Sequence, residues 1–498
     1  MPTAEKSTAD RGAPAVQRLK AGSVGLAGVV LMALATAAPI TAMTGNLPVV
    51  IGGGNGTHAP AAFAFVTVVL TVFTVGYVAM ARHITTAGAF YGFVSHGLGR
   101  VAGMASGLLA VLAYMVFEAS VVGIFAYFAQ QTVRAEFGVG CPWQVFAVAM
   151  LAVTALLSYF DLEVAARVLG VFLVGEVLML LLFGGAVLAD GGGPDGLATA
   201  SLSPAGAFGG VDAGVGLFAC FWSWIGFEST AMYGEESRDP RRIIPRATLA
   251  VVVGLGVLYT FTAWAVVAAN GAGAVGTAAG PGPLDLFLAP ARLHLGGWAV
   301  TAFHWLMCTS ALACGMAFHQ CASRYLYAIG REGFLHPALG RTHPRHGSPY
   351  VASFAQSAIA LAVVGGFWAA GQDPYTGLYT LTAILGTMAL LVVQTLCSFA
   401  VIAYFRRHHP GSRHWFRTFT APLLGGLGMI AAIVLLVLNL DTAAGAASQA
   451  LFLTLTPWIV GAVFAGGVAF ALYTRARRPD RYEVMGRLVL ENTREREG

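Results

Sequence analysis

The chain has 498 residues, of which 57% are hydrophobic and only 10% charged, against about 25% charged in soluble domains. That much apolar surface excludes a soluble globular protein. The net charge of +5 is spread over alternate loops instead of one face, which argues against a nucleic-acid partner and for a membrane.

Long apolar runs recur along the chain, and about 20 such residues cross a hydrocarbon core of about 30 Å. In lipid each backbone N–H and C=O must be satisfied internally, so the runs are predicted to be helices. Residues 1–20 are polar and mixed in charge, and read as a flexible cytosolic tail without a signal peptide. About twelve spans follow, near 23–51, 60–81, 101–130, 143–160, 164–189, 213–236, 246–269, 297–325, 350–370, 376–404, 419–439 and 451–474. The stretch from 85 to 130 is too long for one straight span, and a short amphipathic segment is expected around Phe90-Tyr91-Gly92. A cytosolic tail is expected over 477–498.

With both termini cytosolic, every one of the 28 Lys and Arg residues except Arg134 and Arg292 falls on the inner side. This asymmetry predicts a multi-pass plasma-membrane protein with cytoplasmic N- and C-termini. The six cysteines form no CxxC pair and read as small packing residues. No metal site and no cofactor are expected.

Two spans look interrupted. The first has Pro39 in mid-span, followed by Ile40-Thr41-Ala42-Met43-Thr44-Gly45-Asn46 and Pro48. The sixth carries Phe221-Trp222-Ser223-Trp224-Ile225-Gly226-Phe227-Glu228. Proline removes a backbone donor and glycine weakens a helix by roughly 1 kcal/mol relative to alanine. Either break alone reads equally well as a packing kink. Matched interruptions in two halves of a chain point to a transporter's midplane site.

At these residues the sequence resembles the amino acid–polyamine–organocation (APC) superfamily of permeases, over roughly residues 20 to 475. Gly226-Phe227-Glu228, Glu235-Glu236 and Pro240-Arg241-Arg242-Ile243-Ile244-Pro245-Arg246-Ala247 are similar to its G-F-E…E-E…P-x-x-x-I-P-x-A signature. Ala87-Gly88-Ala89-Phe90-Tyr91 resembles A-G-G-x-Y, with Ala89 replacing the second glycine. Arg324-Tyr325-Leu326-Tyr327-Ala328 with Arg331-Glu332-Gly333-Phe334-Leu335-His336-Pro337 resembles R-x-L-Y-A-x-x-R-D-G-x-L-P, with His336 as a minor departure. The resemblance implies an all-α, five-plus-five inverted-repeat fold of the LeuT-like kind. Its expected halves are 21–190 and 191–410, with two further helices over 411–476. Family members often carry G-S-G in the first helix, where this chain has Thr41-Ala42-Met43.

Dipoles suggest what such a site binds. If the first helix runs outward, its outer half offers free N–H groups at the break, which favour a carboxylate. The sixth helix runs inward, so its outer half ends there in free carbonyls, which favour an ammonium. An amino acid satisfies both ends, a polyamine only one. The expected substrate-lining residues are Thr41, Ala42, Met43, Thr44, Gly45, Tyr114, Phe117, Phe221, Trp222, Ser223, Ile225 and Gly226. Trp222 reads as an aromatic gate or cation–π partner, or as core packing. A buried charge in a membrane costs at least about 2.5–3.5 kcal/mol, so Glu118, Glu176 and Glu228 each need a reason. Glu228 is expected to cap the inner half of the sixth helix. Glu118 shares a helical face with Tyr114 and Phe117, and is either coupled to the cavity or structural. His304 and His319 read as structural hydrogen-bonding residues, and Tyr91, Gln394 and Glu235-Glu236 as loop or gate contacts.

Proton-coupled relatives often carry lysine where this chain has Glu176, so the resemblance implies a proton-coupling role for Glu176. The alternatives are a ligand to a cation such as sodium and a hydrogen-bonded structural glutamate. The function expected is secondary active transport of an amino acid or related amine, as proton symport. An amino acid/polyamine exchanger is the alternative, followed by a non-transporting sensor or a channel. No HExxH, GxSxG or CxxC motif supports an enzyme.

Overall fold

The computed structural model describes residues 24–84, 88–159, 162–234, 236–280, 282–343 and 348–485, with side chains omitted at 159, 162–169 and 484. The first half contains α1 (Leu26–Ala37), α2 (Pro39–Val49), α3 (Ala59–Ala81), α4 (Ala89–Gly97), α5 (Arg100–Phe137), α6 (Trp143–Tyr159) and α7 (Leu162–Ala189). The second contains α8 (Ala213–Ser223), α9 (Pro240–Asn270), α10 (Ala274–Ala279), α11 (Asp285–Leu295), α12 (Gly297–Arg331), α13 (Tyr350–Ala369) and α14 (Thr380–Arg407). α15 (Ala421–Leu438), α16 (Leu440–Ala444), α17 (Leu451–Arg477) and α18 (Pro479–Val484) complete it. Among the described residues the only strand-like pairings are two isolated bridges, Val24 with Ser237 and Gly193 with Gly196.

Each of the twelve apolar runs falls on helical structure. By length and composition, nine stretches of the described residues are apolar enough to cross a membrane, the first being Leu26–Ala81, which contains two of the runs. The sixth run meets no such length because its helix is split. The short helix expected around Phe90 is α4. The segment from residue 477 includes α18, where Arg100 donates to the Glu483 carbonyl at 3.1 Å and lies over the Tyr482 ring. Glu235, Ala87 and the termini lie outside the described residues, as does the side chain of Arg167.

Both interruptions are present, and they differ. Between α1 and α2 the break is one residue, Ala38, at φ 44 and ψ 74. Proline disfavours the right-handed helical region for the residue before it, and Pro39 itself fits the first position of a new helix. The chain therefore turns once at Ala38 and resumes; Thr41 to Gly45 are regular helix, not an unwound stretch. In the sixth span the irregular region is longer. α8 stops at Ser223, and tight turns join Trp224 to Phe221 and Ile225 to Trp222. Gly226 follows at φ 114, and a 3-10 turn spans Phe227–Tyr233.

Gly226 is where the two breaks touch. A Cβ there would stand 2.7 Å from Thr36 Cγ2 and 2.9 Å from the Thr36 carbonyl carbon. Apolar attraction does not hold helices together in lipid, so close packing of small residues does. Gly226→Ala is expected to lower the thermal midpoint of the detergent-solubilised protein, through strain of about 1–3 kcal/mol. Adding Thr36→Ala should restore only part of the loss, since the positive φ and the backbone contact remain. An unchanged midpoint in G226A would contradict this packing.

Candidate functional site

The α1–α2 break releases amides at the start of α2, and buried side chains meet them. The Glu176 carboxyl, from α7, accepts through Oε2 from Ser310 Oγ of α12 at 2.7 Å and lies beside the Ile40 backbone amide at the head of α2. The end of α1 is treated in the opposite sense. Cys314 Sγ donates to the Thr36 carbonyl at 3.1 Å, and the Tyr259 hydroxyl reaches the Ala37 carbonyl at 3.4 Å. Helix amides thus face a carboxylate and helix carbonyls face weak donors, as the dipole dictates. Thr44 returns its hydroxyl to the Ile40 carbonyl at 2.7 Å, while Thr41 Oγ1 is buried without a partner. Ala42 and Met43 are buried beside them.

A second carboxylate organises the sixth-span break. Glu228 Oε2 accepts from the Gly226 amide at 3.1 Å and Oε1 from the Tyr114 hydroxyl at 2.8 Å. Tyr77 donates to the Glu228 carbonyl at 3.0 Å. Tyr114 in turn stacks on Tyr325 of α12 with ring centroids 5.4 Å apart. Glu228, Tyr114 and Gly226 therefore form one buried unit joining α5 to the break.

Toward the end of the bundle where α2 terminates, the site is covered by a neutral cluster. Asn46 donates to Ser223 Oγ at 3.0 Å and accepts from the Tyr379 hydroxyl. Trp222 packs on the Tyr379 ring at 4.9 Å. Tyr375 donates to the Gly45 carbonyl at 2.8 Å and stacks between Tyr379 and Tyr127. The opposite end, where α1 starts, is closed by ions and backbone. Arg324 pairs with Glu236 at 3.0 Å and lies 4.8 Å above the Tyr233 ring. Tyr91 donates to the Glu332 carboxylate, and Val24 bridges to Glu236 and Arg238 through the backbone. The three signature segments picked out in the sequence thus meet at one end of the molecule.

The structure separates the three residues grouped on one face of α5. Tyr114 joins the break, and Phe117 stacks on Phe318 at 5.1 Å. Glu118 turns to another network, accepting from His319 Nδ1 at 3.0 Å and from Gln356 Nε2 at 2.6 Å. His319 Nε2 meets Ser353 Oγ at 2.7 Å, so α5, α12 and α13 are joined through one carboxylate. Phe221 and Ile225 are buried. His304 pairs with Glu136 at 2.9 Å near the other end of α5. Gln394 is not a loop contact, for it lies buried within α14 with both amide atoms unpartnered. Among the described residues no group of three or more His, Cys, Asp or Glu could hold a metal.

Several site residues escaped sequence reasoning: Ser310, Cys314 and Tyr259 at the first break, and Asn46, Tyr375 and Tyr379 at its cover. Asn46 had a readable signal, a carboxamide inside an apolar run beside the suspected break. The tyrosines had a weaker one, two rings four residues apart after Pro374.

Comparisons with known proteins accord with this geometry. A family model described as amino acid permease matches residues 27–464. The low-affinity putrescine importer PlaP of Escherichia coli K12 is 24% identical over 411 residues, covering 80% of this chain and 85% of that protein. The branched-chain amino acid permease BcaP of Bacillus subtilis is 26% identical over 427 residues, covering 79% and 83%. A crystal structure of the Eremococcus coleocola manganese transporter superposes with a TM-score of 0.56 at 13% identity, covering 93% of this chain and 98% of that one. That likeness concerns the fold alone, and it is the LeuT-like fold expected from the sequence. The chain belongs to the amino acid permease family of the APC superfamily.

Proposed function

We propose that the protein is a secondary active transporter that carries an amino acid across the plasma membrane by alternating access, with proton symport driven through Glu176. The observation that carries this reading is the Glu176 carboxyl buried at the first break, held by Ser310 Oγ at 2.7 Å and lying beside the Ile40 amide. The first amides of α2 are the natural seat of a substrate carboxylate. An ionised Glu176 occupies that seat and repels a second anion. A protonated Glu176 gives up its claim on the amide and removes the repulsion. Proton and substrate carboxylate then bind together, which is the thermodynamic content of symport.

The substrate ammonium belongs on the sixth-span side. Glu228 Oε2 draws the Gly226 N–H onto itself, turning it away from the Ser223 carbonyl one turn back. That carbonyl, at the negative end of α8, suits a cation. Trp222 and Tyr379 close over the pair on the side proposed to be extracellular, and Arg324–Glu236 closes the cytosolic side. The family relatives named for amino acid and diamine transport support a small amine-bearing substrate.

One observation favours a second reading. With Glu176 ionised, the breaks hold two carboxylates and no buried cation partner for either. That charge suits a diamine, moved by exchange. Uptake of labelled leucine and of labelled putrescine into proteoliposomes, with and without an inward proton gradient, separates the two. Gradient-driven leucine accumulation supports the symporter. Putrescine counterflow without accumulation overturns it in favour of the exchanger.

Glu176→Gln is expected to retain counterflow but to lose accumulation driven by the proton gradient, because the amide can hold its proton without titrating. Uptake in the wild type should rise as external pH falls, and that slope should vanish in E176Q. Full gradient-driven accumulation by E176Q would remove Glu176 from the mechanism. At the other end, Arg324→Gln should slow transport roughly tenfold, equivalent to about 1.4 kcal/mol, by leaving Glu236 without its partner. Adding Glu236→Gln should recover part of that rate, as a coupling term in a double-mutant cycle. Additive losses would mean the two residues act separately.

A further inference from the structure

At the end of the bundle where α1 starts, α14 stops in a basic run that closure of the transport path does not use. Arg406, Arg407, Arg413 and Arg417 stand within twelve residues, with His408, His409 and His414 among them. Among the described residues none of these four arginines pairs with a carboxylate. Excess positive charge at a membrane's inner face explains the composition of such a run, but not its shape.

The run folds around a cleft of about 280 Å³ lined by Arg406, Arg413, His414, Trp415 and Thr418, with Phe405 and Phe419 as walls. Its donors are held in place. Arg413 donates Nε to the Phe405 carbonyl at 3.3 Å and Nη2 to the Arg406 carbonyl, capping the last turn of α14. Arg406 is steadied 4.9 Å above the Phe419 ring. His414 Nδ1 accepts from the Phe416 and Arg417 amides at 3.2 and 3.3 Å. In a neutral imidazole that leaves Nε2 as the N–H donor. The lining supplies cations and donors and no acid.

The surroundings say which anion fits. Trp415 is 74% exposed at the rim, and an exposed tryptophan beside arginine is characteristic of the headgroup level. Below it α15 exposes Leu424, Leu427, Ile430, Val434 and Val437, one continuous apolar stripe at helical spacing. A basic cleft above an exposed apolar stripe has the outline of a phospholipid. We propose that this cleft is a binding site for one anionic phospholipid, its phosphodiester among Arg406, Arg413 and His414, and its acyl chains along α15.

The test is native mass spectrometry of the purified full-length protein with phosphatidylglycerol, phosphatidylcholine or inorganic phosphate added. The expected result is selective retention of one phosphatidylglycerol. Arg406→Gln should weaken it about five-fold, the worth of one arginine at an anionic surface. Arg413→Gln should do the same, with its thermal midpoint measured because it also removes a helix cap. Arg478→Gln, an equal loss of charge elsewhere on the same end, should leave retention unchanged. Equal retention of the two lipids, an unaffected R406Q, or an R478Q as weak as R406Q would overturn the proposal. So would binding of inorganic phosphate without retention of phosphatidylglycerol, which would identify a free-anion site.

Discussion

A helix interrupted in hydrocarbon exposes backbone groups that no water can satisfy, and most of the interior chemistry of this protein answers that constraint. The break at Ala38 frees amides at the head of α2 and carbonyls at the tail of α1. The first are met by Glu176 and the second by Cys314 and Tyr259. The break at Gly226 is met by Glu228, itself held by Tyr114. Without the breaks each carboxylate would keep only one hydroxyl, Ser310 for Glu176 and Tyr114 for Glu228. Without the carboxylates each break would leave a buried amide orphaned, at about 1–3 kcal/mol.

The two ends of the bundle are closed by different chemistry, and the difference has mechanical meaning. The Asn46–Ser223–Tyr379 cluster is neutral, and its hydrogen bonds can be exchanged for water at little net cost. The Arg324–Glu236 pair is largely buried, with side chains 9% and 12% exposed, and separating it asks for hydration of two charges. Alternating access needs one end to open while the other holds. A neutral cover on one side and an ionic latch on the other set unequal thresholds for the two openings. The Gly226–Thr36 contact packs the two breaks directly against each other.

Much of this was legible in the sequence, and what was not has physical reasons. The apolar runs located the helices because length and composition alone decide what can cross a bilayer. Pro39 and Gly226 located the breaks because their backbone restrictions are local. The extent of the break at Pro39 was not readable: proline constrains mainly the residue before it, so one left-handed alanine suffices and the polar residues after it stay helical. Partners distant in sequence were not readable. Nothing near Ser310 or Tyr379 announces that α12 and the start of α14 pack on the first break. Glu118, Tyr114 and Phe117 share a face in projection and all meet α12, yet only Tyr114 reaches Glu228 of the broken span, while Glu118 is drawn to His319 and Gln356.

The contrast between Glu118 and Glu176 sharpens the proposed mechanism. Both are glutamates buried in the interior. Glu118 has an imidazole, a carboxamide and, through the imidazole, a hydroxyl, all supplied by side chains of α12 and α13. A carboxylate held in this way ties three helices together. Glu176 leans on one hydroxyl and lies beside a backbone amide, and in the proposed mechanism that amide is the very group a substrate carboxylate would seek. On the proposal made above, what qualifies a buried acid for coupling is neither its depth nor its charge. It is that its neighbour is also the substrate's, so that the ionised acid and the cargo's carboxylate compete for a single N–H until a proton neutralises the acid.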